Sequence, residues 1–263
     1  MGTEGVLCEV RPPIAELVLN RPEAGNALTP EMFAELAEAT TRLATEPDIR
    51  TVVLRGRGPH FCLGASVDLF SERPVKERPA LMRDLVTKFH LAVTRLTRLE
   101  IPVLGVGHGT VVGGGLSLLA ACDVVVAAES TRFRVGWTGL GITMDAGASW
   151  LLPRIIGLHR TLELFHTNRL FSGAEAEAWG LVNWLVPDED LGTRTTELAT
   201  MLATGPTQAL GWCKRLIYEA MSCPLDAQLE NEAATLVRAV ATTDSDEGIR
   251  AFQEHRTPNF RGR

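Results

Sequence analysis

The chain has five cysteines, an odd number, with no C-x-x-C pair and no histidine grouping at zinc-ligand spacing. A disulfide framework and a zinc centre are not expected, and Cys8, Cys62, Cys122, Cys213 and Cys223 read as reduced, small core-fillers. Lys and Arg are scattered, with no run that would neutralise a row of phosphates, and the formal charge is -6, so nucleic acid is not an expected partner. No apolar run is long enough for a bilayer: the most apolar stretch, Val111 to Cys122, contains three glycines and a serine. Met1 to Val10 carries acidic residues where a secretory signal would be basic, so no membrane association and a cytoplasmic address are expected. The Walker pattern G-x-x-x-x-G-K-[ST] is missing, and Gly105-Val106-Gly107-His108-Gly109 lacks the third glycine of a dinucleotide fingerprint. There is no G-x-S-x-G elbow, so a serine hydrolase has no nucleophile.

What is present is an ordinary globular composition, 45% hydrophobic and 22% charged over 263 residues. A chain of this mass folds to roughly 11,000 Å² of surface from about 41,000 Å² extended, which leaves room for a substantial core. Ile14 to Asn20 alternates as a β-strand does, and Arg21-Pro22 breaks it. Thr29 followed by Pro30 predicts a helix start, with Phe33, Leu36, Ala37 and Leu43 at helical spacing. Thr51 to Arg55, Pro102 to Val106 and Val124 to Ala127 read as buried strands. Leu81 to Leu99 reads as a helix whose stripe is Met82, Leu85, Val86, Phe89, Val93 and Leu96. Beyond Ala146 the pattern is mainly helical, punctuated by glycines. Strands alternating with helices, followed by a helical tail, predict an α/β fold, divided here into a core over residues 1–200 and a helical region over 201–263.

Two glycine-containing segments could carry chemistry: Phe61-Cys62-Leu63-Gly64-Ala65, and Gly113-Gly114-Gly115-Leu116-Ser117 at a helix start. Without Cβ atoms a ligand can approach free backbone N–H groups that carry partial positive charge, which suits an oxyanion. Close strand–helix packing would explain a GGG equally well.

These segments occur with N-R-P-x-x-x-N-A-L from Asn20 to Leu28, H-G-T-V-V-G-G-G-L-S-L-L-A-A-C-D from His108, A-W-G-L-V from Ala178 and a closing E-G-I-R-A-F-Q-E-H-R. The whole resembles the crotonase (enoyl-CoA hydratase/isomerase) superfamily, from about Ile14 onwards. The resemblance implies a spiral of ββα units with C-terminal helices that trimerise, giving a homo-trimer or a hexamer. It also implies an acyl-CoA thioester whose carbonyl oxygen is held by two backbone N–H groups, here those of Ala65 and Gly114. Coenzyme A arrives as part of the substrate, so no separate cofactor is expected. Ala24, Ala27, Cys62 and Leu63 match the family's contacts to adenine and pantetheine. Several relatives have a basic residue where this chain has Gly25, which leaves Arg21 or Arg256 as candidates for the CoA phosphates.

The match to hydratases stops at their two glutamates, whose positions are held by Ser117 and Trp137. Neither can hold a proton as a carboxylate does, and hydration needs both water activation and protonation of carbon. The segment around Asp145 instead is similar to the enoyl-CoA isomerase branch that includes the ring-handling isomerases of phenylacetate breakdown, where the matching Asp is the acid/base. One carboxylate suffices to move a double bond between the β,γ and α,β positions. The plainer reading makes Asp145 the cap of a helix starting at Ala146.

A second functional reading comes from the superfamily's 4-chlorobenzoyl-CoA dehalogenases, which use an Asp nucleophile, a His base on the preceding long helix and a Trp beside the Asp. Asp145, His90 and Trp137 match these positions, although Ala65 stands where those enzymes put an aromatic residue. Helical geometry alone makes His90 a half-buried residue at the edge of its stripe, and Trp137 an apolar wall. A third reading is a non-catalytic member that only binds CoA esters. Arg132 to Trp137 and the Pro-rich segment Phe70 to Pro79 are expected to set the size of the acyl pocket.

Overall fold

The computed structural model describes residues 4–262. The chain opens with β1 (Val6–Arg11), β2 (Ile14–Leu19), α1 (Pro30–Leu43), β3 (Thr51–Gly56), α2 (Asp68–Ser71) and α3 (Arg78–Arg98). There follow β4 (Val103–Gly107), β5 (Thr110–Val112), α4 (Gly114–Ala120), β6 (Val124–Ala128) and β7 (Arg132–Arg134). The third stretch holds α5 (Ala148–Ile155), α6 (Leu158–Thr167), β8 (Phe171–Ser172), α7 (Gly173–Ala178) and β9 (Trp184–Val186). Four helices close the chain: α8 (Leu191–Thr204), α9 (Thr207–Ala220), α10 (Leu225–Ala239) and α11 (Thr243–Gln253).

The larger sheet has the order β1-β2-β3-β4-β6-β9, parallel throughout except for the β1–β2 hairpin. A second, three-stranded sheet has the order β5-β7-β8. The parallel strands are covered on both faces and so are apolar at nearly every position. Val52, Leu54 and Val103 belong to the main core with Phe33, Leu36, Phe89 and Leu119. Val53, Leu104, Val106 and Val126 face the other way, onto Leu198 and Ala199 of α8. The α/β reading and the helical tail therefore hold, whereas β1, a mostly half-buried edge strand without clean alternation, escaped it.

The Gly105/Gly107 string has a packing cause. A Cβ on Gly105 would lie 2.8 Å from Leu119 Cδ1 and 2.9 Å from Cys122 Sγ, so glycine lets α4 settle onto β4. Of the cysteines only Cys62 and Cys122 fill the core. Cys213 is exposed and Cys8 and Cys223 are half-buried, which corrects the expectation for those three. Among the described residues no helix is long and apolar enough to cross a membrane, and no group of three or more potential ligands could hold a metal ion.

Candidate active site

The site is assembled from segments that hydrogen-bond to one another in order. Asn26 is fully buried with φ of 55°, and its Oδ1 accepts from Arg21 N at 2.8 Å. Its Nδ2 donates to the carbonyls of Arg57 and His60 at 2.9 and 2.8 Å, so one amide ties the 21–27 turn to the loop after β3. The chain then runs between two neighbours: Leu28 bridges Ala65 and Cys62 bridges Val111. Thr29 caps α1 as predicted, accepting from Met32 N.

This arrangement brings Ala65 and Gly114 to a common cavity. Among the described residues neither N–H donates to a protein acceptor, because Leu28 accepts from Ser66 and Gly114 opens α4. The GGG segment serves two purposes. A Cβ on Gly115 would meet Cys62 O at 2.6 Å, so that glycine is required for packing, whereas Gly114 lines the cavity.

The cavity holds about 530 Å³ and is lined by Leu63, Ala65, Phe89, Gly114, Trp137 and Asp145 among others. Met82, Val86 and Phe89, all from the predicted stripe of α3, form one wall, together with Val67 and Phe70 from the segment around α2. Arg134, Gly136 and Trp137 line it from the Arg132–Trp137 segment. A role that sequence reasoning missed belongs to Asn168. Its Oδ1 accepts from Gly136 N at 3.0 Å and its carbonyl from Arg134 Nε at 2.7 Å, which fixes that wall. Its only sequence signal is an asparagine closing a helix, where the left-handed φ of 49° is tolerated.

Asp145 does not cap a helix. α5 begins at Ala148, its N-cap is Gly147, and no side chain caps it, so the plainer reading of this acid is overturned. Burial raises the Asp145 pKa above the ordinary aspartate value, partly offset by the electrostatics of the neighbouring His90 ring and by the Trp137 side chain. Trp137 is 8% exposed and stacks on Phe165 at 5.9 Å, so it is at once a wall and a polar partner of the acid. His90 is exposed, not half-buried as its angle on the helix suggested, yet its Nε2 accepts from Ala146 N at 3.3 Å. Ser117, at the position of a hydratase glutamate, is fully buried and donates through Oγ to the Asp145 carbonyl at 3.3 Å.

The CoA-contact residues divide. Leu63 is exposed and lines the cavity, with its N–H donating to Gly25 O at 3.0 Å. Ala24 and Ala27 lie on the adjoining turn, outside the cavity lining. Cys62 is fully buried, its N–H donates to Thr110 and its carbonyl accepts from Val112, which leaves it no surface for a ligand. Burial pushes its thiol up to about 12, so it is no nucleophile either. Arg21 donates to the Ala27 carbonyl at 2.9 Å and thus holds the turn. Arg256 is paired with Glu247 and Glu254, both at 2.6 Å, so its charge is already met within its own chain.

Comparison with known proteins agrees with this geometry. The enoyl-CoA hydratase/isomerase family model matches residues 9–263. A 1,2-epoxyphenylacetyl-CoA isomerase of Escherichia coli (strain K12) is 35% identical over 260 residues, covering 99% of both chains. A 4-chlorobenzoyl coenzyme A dehalogenase-2 of Arthrobacter sp is 32% identical over 240 residues, covering 91% of this chain and 87% of the relative. The crystal structure of an enoyl-CoA hydratase from Bacillus anthracis superposes with a TM-score of 0.91 at 31% identity, over 98% of this chain and all of that one. With paired free amides over a cavity that holds an acid, this chain belongs to the enoyl-CoA hydratase/isomerase family of acyl-CoA-processing enzymes and has the crotonase fold.

Proposed function

We propose that the protein isomerises the double bond of an enoyl-CoA thioester, moving it between the β,γ and α,β positions, with Asp145 as the single proton carrier. Ionised Asp145 takes a proton from the α-carbon, and the C–H electron pair moves into the adjacent carbonyl to form an enolate that is conjugated with the β,γ double bond and so carries density at the γ-carbon. The dienolate oxygen sits between the Ala65 and Gly114 N–H groups, each such donor being worth about 2.7–4 kcal/mol in a transition state. The protonated acid then returns its proton to the γ-carbon. One observation carries this reading: among the described residues lining the cavity, Asp145 is the only carboxylate. Its raised pKa suits an acid/base that must both take and give a proton. Ordinary hydration lacks its two acids, because Ser117 is buried against the Asp145 carbonyl and Trp137 is a wall.

An aryl substitution of the dehalogenase type is the second reading, favoured by His90 and Trp137 both meeting the Asp145 segment. Against it, the Nε2 lone pair a base would use is occupied by the Ala146 N–H. The test measures conversion of a 3-enoyl-CoA to the 2-enoyl-CoA, and chloride release from 4-chlorobenzoyl-CoA at saturation. Isomerisation lost in Asp145→Asn with CoA-ester binding retained is the expected result. Chloride release would replace the first reading with the second, and binding without turnover on a broad panel would leave a non-catalytic binder.

The same reading makes the protein a homo-oligomer. Its surface is 13435 Å², well above the roughly 11,000 Å² typical of a compact monomer of this mass, and large apolar side chains of α9, α10 and α11 are exposed.

A further inference from the structure

We propose that Ser117 and His90 are positioning residues that clamp the single peptide between Asp145 and Ala146, and through it aim the Asp145 carboxylate at the substrate carbons. This inference rests on the isomerase reading above. The Ser117 hydroxyl donates to the carbonyl oxygen of that peptide at 3.3 Å, and His90 Nε2 accepts from its N–H, also at 3.3 Å. A peptide is planar, so holding its oxygen on one edge and its nitrogen on the other fixes the plane. The carbonyl's remaining lone pair takes the Ala148 N–H at 3.0 Å, which joins the clamp to the start of α5.

The held conformation is one the chain would not choose. Ala146 has φ of 50°, a left-handed backbone that alanine avoids, and it is fully buried, with no room to relax outward. Something must over-determine it, and the two side-chain contacts do so.

Their origins explain why this pair is suited to the task. Ser117 lies on α4 three residues after Gly114, and the Cβ position of Gly114 is 3.1 Å from Cε1 of Phe89, the residue before His90 on α3. The two helices that set the Gly114 amide therefore also hold the backbone of the acid, which keeps base and oxyanion donor at a fixed mutual distance. The buried position that would carry a hydratase's glutamate here gives its hydroxyl to backbone, and His90 acts as an acceptor and not as a base.

The experiment compares steady-state isomerisation of a 3-enoyl-CoA with calorimetric binding of the saturated hexanoyl-CoA. Ser117→Ala and His90→Ala are each expected to lower kcat about ten-fold or more, the scale on which misplaced catalytic groups lose rate, with KM and the hexanoyl-CoA Kd nearly unchanged. His90→Gln, which keeps an acceptor but no base, should restore most of the rate lost in His90→Ala. Ala146→Gly, which removes the left-handed penalty, should recover part of the loss in Ser117→Ala. His90 is exposed, so its variants keep the fold even if the buried Ser117 variant does not. Wild-type kcat in both alanine variants, with turnover abolished in Asp145→Asn, overturns the clamp alone. His90→Gln as slow as His90→Ala also overturns it, in favour of proton chemistry at the imidazole. Equal losses in kcat and in binding mean general collapse of the pocket and overturn it as well. Turnover surviving in Asp145→Asn removes the isomerase reading and the clamp together.

Discussion

A Cβ placed on Gly64 would stand 3.5 Å from the Gly114 amide nitrogen and 3.0 Å from the Val112 carbonyl oxygen. The residue before one proposed oxyanion donor therefore abuts the other, and its φ of 86° is one that only glycine adopts readily. Gly64→Ala should displace one of the two amides. The expected loss is on the order of 10²- to 10³-fold in kcat, the cost of removing one oxyanion-hole donor. Steady-state kinetics on a 3-enoyl-CoA checks this, and a wild-type rate would show that these amides do not meet the developing charge.

The raised pKa of Asp145 makes a signed prediction for the pH–rate profile. In the proposed isomerisation Asp145 must be ionised to take the α-proton, so kcat/KM should fall on the acid side at a pH above the ordinary aspartate value. The same shift costs stability. An acid whose folded pKa is raised contributes stability below its unfolded pKa and loses it as the pH climbs through the folded one. Asp145→Asn should accordingly raise Tm at neutral pH while abolishing turnover, and should leave Tm nearly unchanged at pH 3 if both forms still fold there. Thermal melts at the two pH values decide it.

The sequence made the site legible through its motifs' resemblance to the family. Ala65, Gly114, Trp137 and Asp145 are the positions that resemblance points to, and all line one cavity. It failed where the decisive contact is to backbone. Ser117 and Asn168 act through carbonyl and amide partners distant in sequence, and nothing in local pattern announces a partner 28 or 32 residues away. The helix boundary at Asp145 was missed for a related reason. A glycine with positive φ, Gly147, starts α5, and an aspartate near a helix start imitates a cap without making the bond. Strands buried on both faces were easy to find, while the edge strand β1 was not, because its residues are neither cleanly apolar nor alternating.

Lys214 and Asp123 form a buried ion pair at 2.8 Å between α9 and the loop before β6. The lysine also donates to the Leu96 carbonyl at 2.8 Å, and Asp123 accepts from Val103 N at 2.7 Å, so the pair fastens the helical region to the core sheet. Burial raises the Asp123 pKa even with Lys214 beside it. Lys214→Met strands a buried carboxylate and should cost about 3–5 kcal/mol in chemical denaturation. Adding Asp123→Asn should return most of that loss, since the amide can still accept from Val103 and carries no charge. Because a raised acid is stabilising only while protonated, the single variant's deficit should shrink as the pH falls.

The last helices pose a question of which face points inward. α10 turns Gln228 and Thr235 toward its own chain, where Gln228 donates to the Leu216 carbonyl at 3.0 Å and Thr235 accepts from Arg215 at 3.4 Å. Its leucines point away: Leu225, Leu229 and Leu236, with Val240 just beyond the helix, fall on one helix face and are all exposed, Leu225 by 71%. Phe252 of α11 is 82% exposed. An apolar stripe outside and polar residues inside invert the usual pattern of a surface helix, and the inversion is favourable only if the outer stripe is covered by another molecule. A second copy of the chain is the occupant expected from the family, so light scattering should give a multiple of 28.6 kDa. Leu236→Glu with Val240→Glu places two charges one turn apart on that stripe and should shift the mass toward the monomer, leaving α10's contacts with α9 intact. A wild-type mass of one chain at micromolar concentration would mean that the stripe serves some other contact.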